Sequence, residues 1–72
     1  MDRTERFYKI DQMIHDRRLV PFVDLMAALE VSRATLKRDL EYMRNRLNAP
    51  IVWGRDAGGY RFDTPHAEAG AQ

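Results

Sequence analysis

The side chains best suited to an anionic ligand are concentrated in fifteen consecutive residues. Residues 32–46 carry five basic and two acidic side chains, a local charge of +3, whereas the segments before and after this stretch each carry −1. Within it, Arg33, Lys37 and Arg38 are cations able to reach base edges or phosphates. Ammonium and guanidinium groups bind phosphate, and a guanidinium can also donate two hydrogen bonds to a guanine edge. Binding of an anionic ligand such as nucleic acid is the chemistry that these residues offer, and the elements that position them decide whether it applies.

A helix has to position these residues. Ser32 is a good N-cap, and the apolar spacing predicts a helix from about Arg33 to Leu47. We expect one apolar stripe of this helix to lie in the core: Leu36, Leu40, Met43 and Leu47. The side chains that remain available to contact DNA, on the outer face and in the first turn, are Ser32, Arg33, Ala34, Thr35, Lys37 and Arg38.

The residue types in this set suggest different roles. We predict that Arg33 and Arg38 contact base edges and that Lys37 contacts either bases or phosphates. The hydroxyl groups of Ser32 and Thr35 can donate to phosphate oxygens, alongside the backbone N–H groups at the helix start.

The same charges have a simpler interpretation as a solvated helix face. Ten of the twelve basic residues are arginine, a bias that coding composition alone can produce. Arg44 and Arg46, at the far end of the helix, are predicted to be surface charges or to complement the helix C-terminus. The surrounding elements are what favour contact with DNA.

Two helices precede the basic one. The first is predicted over residues 3–17, as an amphipathic helix with one apolar stripe and charged side chains on the rest of its surface. The second is predicted over residues 22–29, introduced by Pro21 at its start. Only residues 30–32 separate it from the basic helix, and we expect the apolar Val31 in this turn to pack between the two helices.

A β-hairpin is predicted after the helices. Residues 51–53 and 60–62 are β-branched and aromatic, and the six residues between them are rich in turn formers. We expect the hairpin to pack on the helices through Ile51, Tyr60 and Phe62, because an isolated hairpin is marginally stable in water.

The hairpin can also contact DNA. Arg55 and Arg61 are predicted to approach the sugar–phosphate chain or the adjacent minor groove; the alternative is that the hairpin only covers the core. Trp53 and Tyr60 are predicted as core aromatics, and Gly58-Gly59 as a turn that needs positive φ.

Three helices, a short turn between the second and the third, and a hairpin after them predict a mainly α fold. This fold is the winged helix-turn-helix, with three helices plus a two-stranded wing. We assign residues 1–63 to this domain. Residues 64–72 have no periodicity and no large apolar side chain, so we predict a disordered tail or the start of a linker.

Composition argues against several other classes of protein. The 72 residues contain no cysteine, and the two histidines, His15 and His66, are far apart, so we expect no catalytic site, no metal and no cofactor. No apolar run is long enough to span a membrane, and no signal peptide is recognisable, so we expect a cytoplasmic protein.

The sequence also resembles a known family. Residues 25–40 (LMAALEVSRATLKRDL) are similar to the helix-turn-helix of DeoR-type regulators, and Pro50-Ile51 with residues 58–62 (GGYRF) resemble the wing of bacterial WYL-domain transcription factors. The resemblance implies a module that binds operator DNA, a homodimer in the full-length protein, and a following domain that senses a ligand of unidentified nature. By this resemblance, the DNA-facing positions of the family correspond to Ser32, Arg33, Thr35, Lys37 and Arg38.

The chain departs from the family pattern in the turn region. Glu30 stands where the family has glycine, which predicts a positive φ or a reshaped turn. Pro21 replaces a capping Ser or Thr, and Met26 is larger than the usual Ala. Asp39 fits an acidic position of the family, and we predict that it orients a neighbouring arginine.

The function predicted from the sequence is therefore sequence-specific binding of double-stranded DNA. Two other functions are carried as alternatives: a winged helix used for contact with another protein, and a binder of single-stranded nucleic acid or RNA.

Overall fold

Three helices and a β-hairpin make up residues 1–63, the part of the chain that the structure, a computed structural model, describes. The predicted tail, residues 64–72, lies outside the described residues. The elements follow one another as α1 (Arg3–Arg17), α2 (Phe22–Leu29), α3 (Arg33–Asn45), β1 (Ile51–Gly54) and β2 (Gly59–Phe62). This order confirms the winged helix-turn-helix architecture.

Helix α1 has the predicted limits because both of its ends are capped. The Asp2 carboxylate accepts a hydrogen bond from the Glu5 N–H at 2.8 Å, and the Glu5 carboxylate accepts one from the Asp2 N–H at 3.1 Å. The helix ends at Arg18, which has φ 70° and donates its N–H to the carbonyl of Ile14 at 2.8 Å. Ile10 and Ile14 of the predicted stripe are buried.

Helix α2 begins after Pro21, which provides no side-chain cap, and ends in the tight turn of the helix-turn-helix. Glu30 has φ 54° and ψ 48°, the left-handed conformation that its position in place of glycine predicts. Val31 packs against the core from within the turn, as expected. Met26 is also accommodated there, half-buried.

Replacing Glu30 with glycine is expected to stabilise the protein by up to about 1 kcal/mol. A side chain with a Cβ atom is strained by roughly 1–2 kcal/mol in the left-handed region, and the greater freedom of glycine in the unfolded chain offsets part of that gain. Glu41→Gly, in regular helix, is the matched control and should instead destabilise by about 1 kcal/mol. Urea unfolding of the two variants measures both effects. A loss of stability in Glu30→Gly as large as in the control would contradict the left-handed turn.

Helix α3 ends at Asn45, two residues before the predicted end. The chain turns away because Asn48 adopts φ 56° and the Ala49 N–H donates to the carbonyl of Met43 at 2.9 Å. Leu47 therefore lies outside the helix and is 51% exposed, so the prediction that it belongs to the buried stripe is wrong.

The hairpin is tied to the helices through a segment that the sequence analysis missed. Val20, between α1 and α2, pairs with Tyr60 of β2 through two backbone hydrogen bonds of 2.8 and 2.9 Å. At Gly59, a Cβ atom would lie 2.9 Å from the Val20 backbone, so glycine is required by close approach. Of the pair Gly58 and Gly59, it is Gly58 that has a positive φ, 74°. The attribution of both glycines to the turn is thus wrong for Gly59.

The core lies between the three helices and the inner face of the hairpin. Ile51 is buried, and Tyr60 and Phe62 pack against the core from the neighbouring strand, as predicted. The buried apolar residues are Ile10, Ile14, Val20, Leu25, Leu29, Leu36, Leu40, Met43 and Ile51.

Candidate nucleic-acid interface

The outward-facing residues of α3 are set by which of its side chains are buried. Leu36, Asp39, Leu40 and Met43 are buried and form the inner face of the helix. Because successive residues are rotated by about 100°, a different row of residues forms the opposite face. The residues of this opposite row, all exposed, are Ala34, Arg38, Glu41 and Asn45. Arg38 thus lies at the centre of the outer face, where we predicted a base contact.

The exposed side chains of residues 32–46 carry a larger positive charge than the stretch as a whole. Of the two acidic side chains in residues 32–46, Asp39 is buried, 3% exposed, and bound to Arg6 of α1. The Arg6 Nε atom lies 2.6 Å from Oδ2 of Asp39, and Nη2 lies 3.2 Å from Oδ1. Hydrogen bonding to the Asp39 carboxylate raises the pKa of the Arg6 guanidinium. All five basic side chains of the stretch remain exposed, with Glu41 as the only exposed acid among them.

Asp39 orients an arginine, as predicted, although the partner comes from another helix. Arg6 is 33 residues away in sequence and joins α1 to α3. Spacing along the chain gives no signal for such a pair, so the arginine concerned was not identifiable from the sequence.

The first turn of α3 is organised by two hydroxyl groups. The Ser32 Oγ atom accepts the Thr35 N–H at 3.2 Å and donates to the Thr35 Oγ1 atom at 3.1 Å. Ser32 is therefore occupied as the helix cap, whereas the proton of the Thr35 hydroxyl has no acceptor among residues 1–63. Of the two predicted hydroxyl contacts, Thr35 has the proton available for a phosphate oxygen.

A groove separates α3 from the wing, and aromatic side chains form its wall. The Arg33 guanidinium lies 5.1 Å from the centre of the Phe22 ring, and Tyr60 lies edge-on to Trp53 with ring centres 5.0 Å apart. Lys37 lines the same groove. Burial raises the pKa of the Tyr60 phenol above its ordinary value.

Trp53 is not a core residue, contrary to the prediction. It is 46% exposed, although its strand partner Tyr60 packs against the core. The structure thus adds an exposed aromatic ring to the groove that holds Arg33 and Lys37.

The two arginines of the wing lie in different places. Arg55 is exposed in the turn that follows β1, in which the Gly54 carbonyl accepts the N–H groups of Ala57 and Gly58. Arg61 pairs with Val52 on the face opposite Trp53 and Tyr60, beside His15 and Arg18 of the α1 end. The structure therefore does not bring Arg61 together with Arg33 and Lys37.

Within residues 1–63, no three side chains of the metal-binding types lie close enough together to hold a metal ion. No helix in the same region has the length and hydropathy needed to cross a bilayer.

A short turn between two helices, an exposed basic second helix and an adjacent hairpin together define a DNA-binding helix-turn-helix with a wing. Comparison with protein families agrees, because residues 6–66 match the DeoR-like helix-turn-helix domain. The chain belongs to this family, which confirms the resemblance seen in residues 25–40. Searches of the curated proteins and of the solved structures gave no match.

Proposed function

We propose that this chain is the module through which a bacterial transcriptional regulator binds specific sequences in double-stranded DNA. One observation carries the proposal: the exposed surface of residues 32–46 has five basic side chains and one acidic one, while the buried carboxylate of Asp39 is already paired with Arg6. The ion pairs within residues 1–63 are Arg6–Asp39 and Arg17–Asp24, so Arg33, Lys37 and Arg38 have no carboxylate partner there.

The proposed mechanism places α3 in the major groove, which is about 12 Å wide and admits one helix. Arg38 at the centre of the outer face and Arg33 at the start of the helix donate to base edges. Ala34, which has no long side chain, lets the helix backbone approach the DNA closely. Lys37 and the Thr35 hydroxyl bind phosphates beside the groove.

The wing contributes contacts next to those of α3. Arg55 in the exposed turn reaches the flanking sugar–phosphate chain or the minor groove. Trp53 offers an apolar surface toward the same backbone. Arg61 is retained as a proposed phosphate contact, and Ser32 contributes by capping the helix that carries the others.

We further propose that the module acts as a homodimer within a WYL-domain regulator. Support for the domain type comes from the likeness of residues 58–62 to the wing of that family. Support for a dimer comes from size, since one module of this kind buries only about 600–1,000 Å² on DNA and binds weakly alone. Paired modules would occupy half-sites about one helical turn, or a multiple of it, apart.

A salt titration tests the proposed function. The affinity for a random duplex is measured by fluorescence anisotropy between roughly 50 and 200 mM salt. The logarithm of the binding constant should fall linearly with the logarithm of the salt concentration, by a slope of about 0.9 for each phosphate neutralised. Single strands of equal length are measured in parallel.

The two lysines of the sequence provide a matched pair of variants. Lys37→Gln should reduce the slope by about one, whereas Lys9→Gln, on α1, should leave it unchanged. Duplex binding without salt dependence would contradict the proposal and favour a protein-binding winged helix. Tighter binding of single strands than of duplex would favour a single-stranded nucleic-acid or RNA binder.

A further inference from the structure

A second basic cluster lies on the flank of α3 that faces away from the wing. The Arg3 guanidinium lies 4.1 Å from the centre of the Tyr42 ring, and the Arg46 guanidinium lies 5.8 Å from the same ring. Tyr42 is in turn stacked on Phe7 of α1, with ring centres 5.4 Å apart and planes inclined by 13°. We name Arg3, Phe7, Tyr42 and Arg46 the Tyr42 cluster.

The cluster brings two positive charges to one ring. Attraction between a guanidinium and an aromatic face is worth roughly 0.5–1 kcal/mol at an exposed site and restrains the arginine side chain. Within residues 1–63 neither arginine has a carboxylate within ion-pair distance. Both arginines are exposed, and neither guanidinium donates a hydrogen bond within residues 1–63, so two restrained groups of the type that recognises a phosphate remain available.

The position of the cluster on α3 suggests which phosphate. About 180° of rotation around the helix axis separates Tyr42 from Arg33, which faces the groove beside the wing. A helix in the major groove has one sugar–phosphate backbone on each side. The wing side of α3 faces one backbone, and the Tyr42 cluster faces the other. Arg38 lies between these two flanks, in the same surface recess as Arg3 and Arg46.

We propose that Arg3 and Arg46, held on the Tyr42 ring, bind a backbone phosphate of duplex DNA on the side of the major groove opposite the wing. This proposal rests on the proposed function and gives Arg46 a role beyond that of a surface charge. It makes the N-terminal end of α1 part of the interface. The module then holds the duplex at both borders of the groove.

The test uses Arg3→Gln and Arg46→Gln in the salt titration described above, on a preferred and a scrambled duplex. Each variant is expected to weaken binding of both duplexes equally, by about 3- to 10-fold at low salt, and to lower the salt slope by about one. Lys9→Gln, on the other side of α1, is the control for charge removed from the same helix. Tyr42→Leu removes no charge but frees both arginines, so it should also weaken binding of both duplexes.

The outcomes separate this proposal from the proposed function. Wild-type affinity and slope in both arginine variants, together with a loss in Lys37→Gln, would overturn the cluster's role and leave DNA binding intact. A loss confined to the preferred duplex would also overturn it, because that is the behaviour of a base contact. A wild-type protein with no salt-dependent duplex binding would instead overturn the proposed function. Thermal unfolding followed by circular dichroism identifies any variant that loses binding because it unfolds. If Tyr42→Leu unfolds, Tyr42→Phe, which keeps the ring, is measured in its place and must retain binding.

Discussion

Arg38→Ala is expected to weaken binding of the preferred duplex about 5- to 150-fold, which corresponds to the roughly 1–3 kcal/mol carried by one arginine–guanine contact. The side chain projects from the centre of the exposed row of α3 and has no ion-pair partner in residues 1–63. Removing it should therefore affect contact with DNA and leave the fold unchanged. Sequence preference should relax at one position of the half-site.

The measurement starts from duplexes selected out of a random pool by a dimeric form of the protein. Affinities of wild type and variant are then compared for the selected duplex and for single-base changes within it. Arg44→Ala, near the end of α3, is the control for loss of an exposed arginine that is predicted to be a surface charge. An equal loss on every duplex would reassign Arg38 to a phosphate, and no loss at all would remove it from the interface.

Asp39→Asn is expected to produce the largest loss of stability among exchanges that keep side-chain volume. It removes the charge that balances Arg6 at the junction of α1 and α3, where the side chains of Asp39 and Arg6 are 5% and 18% exposed. An arginine left beside the core without its counter-charge is strongly destabilising. The free energy of unfolding, measured in urea, should fall by several times the change seen in the control.

The control is Asp24→Asn, which breaks the exposed ion pair with Arg17, at 2.9 Å, and should cost about 0–1 kcal/mol. Replacing both members of the buried pair, Arg6→Met with Asp39→Leu, is expected to recover most of the stability lost in Asp39→Asn. Equal losses of unfolding free energy in the Asp39 and Asp24 variants would show that the buried pair contributes no more to stability than the exposed pair.

The helices were predictable because local chemistry marks their ends. Asp2, Pro21 and Ser32 precede the three helices, and the apolar stripes give their buried faces. The end of α3 was misplaced because Leu47 continues the apolar spacing, although the left-handed Asn48 has already ended the helix. Periodicity cannot show that a residue in phase with the core lies beyond the last turn.

The candidate site was predictable where it depends on one helix and unpredictable where it depends on two elements. The exposure of Arg33, Lys37 and Arg38 follows from the periodicity of α3. The exposed position of Trp53 depends on how far the hairpin extends beyond the helices. The Arg6–Asp39 pair and the Tyr42 cluster depend on the packing of α1 against α3, which spacing along the chain does not encode.

The pairing of Val20 with Tyr60 has a mechanical consequence. These residues lie just before α2 and in β2, so their two hydrogen bonds close a loop of the chain that contains the entire helix-turn-helix. The wing is therefore attached to the helix-turn-helix at two places, through the chain after α3 and through this bridge to the junction of α1 and α2.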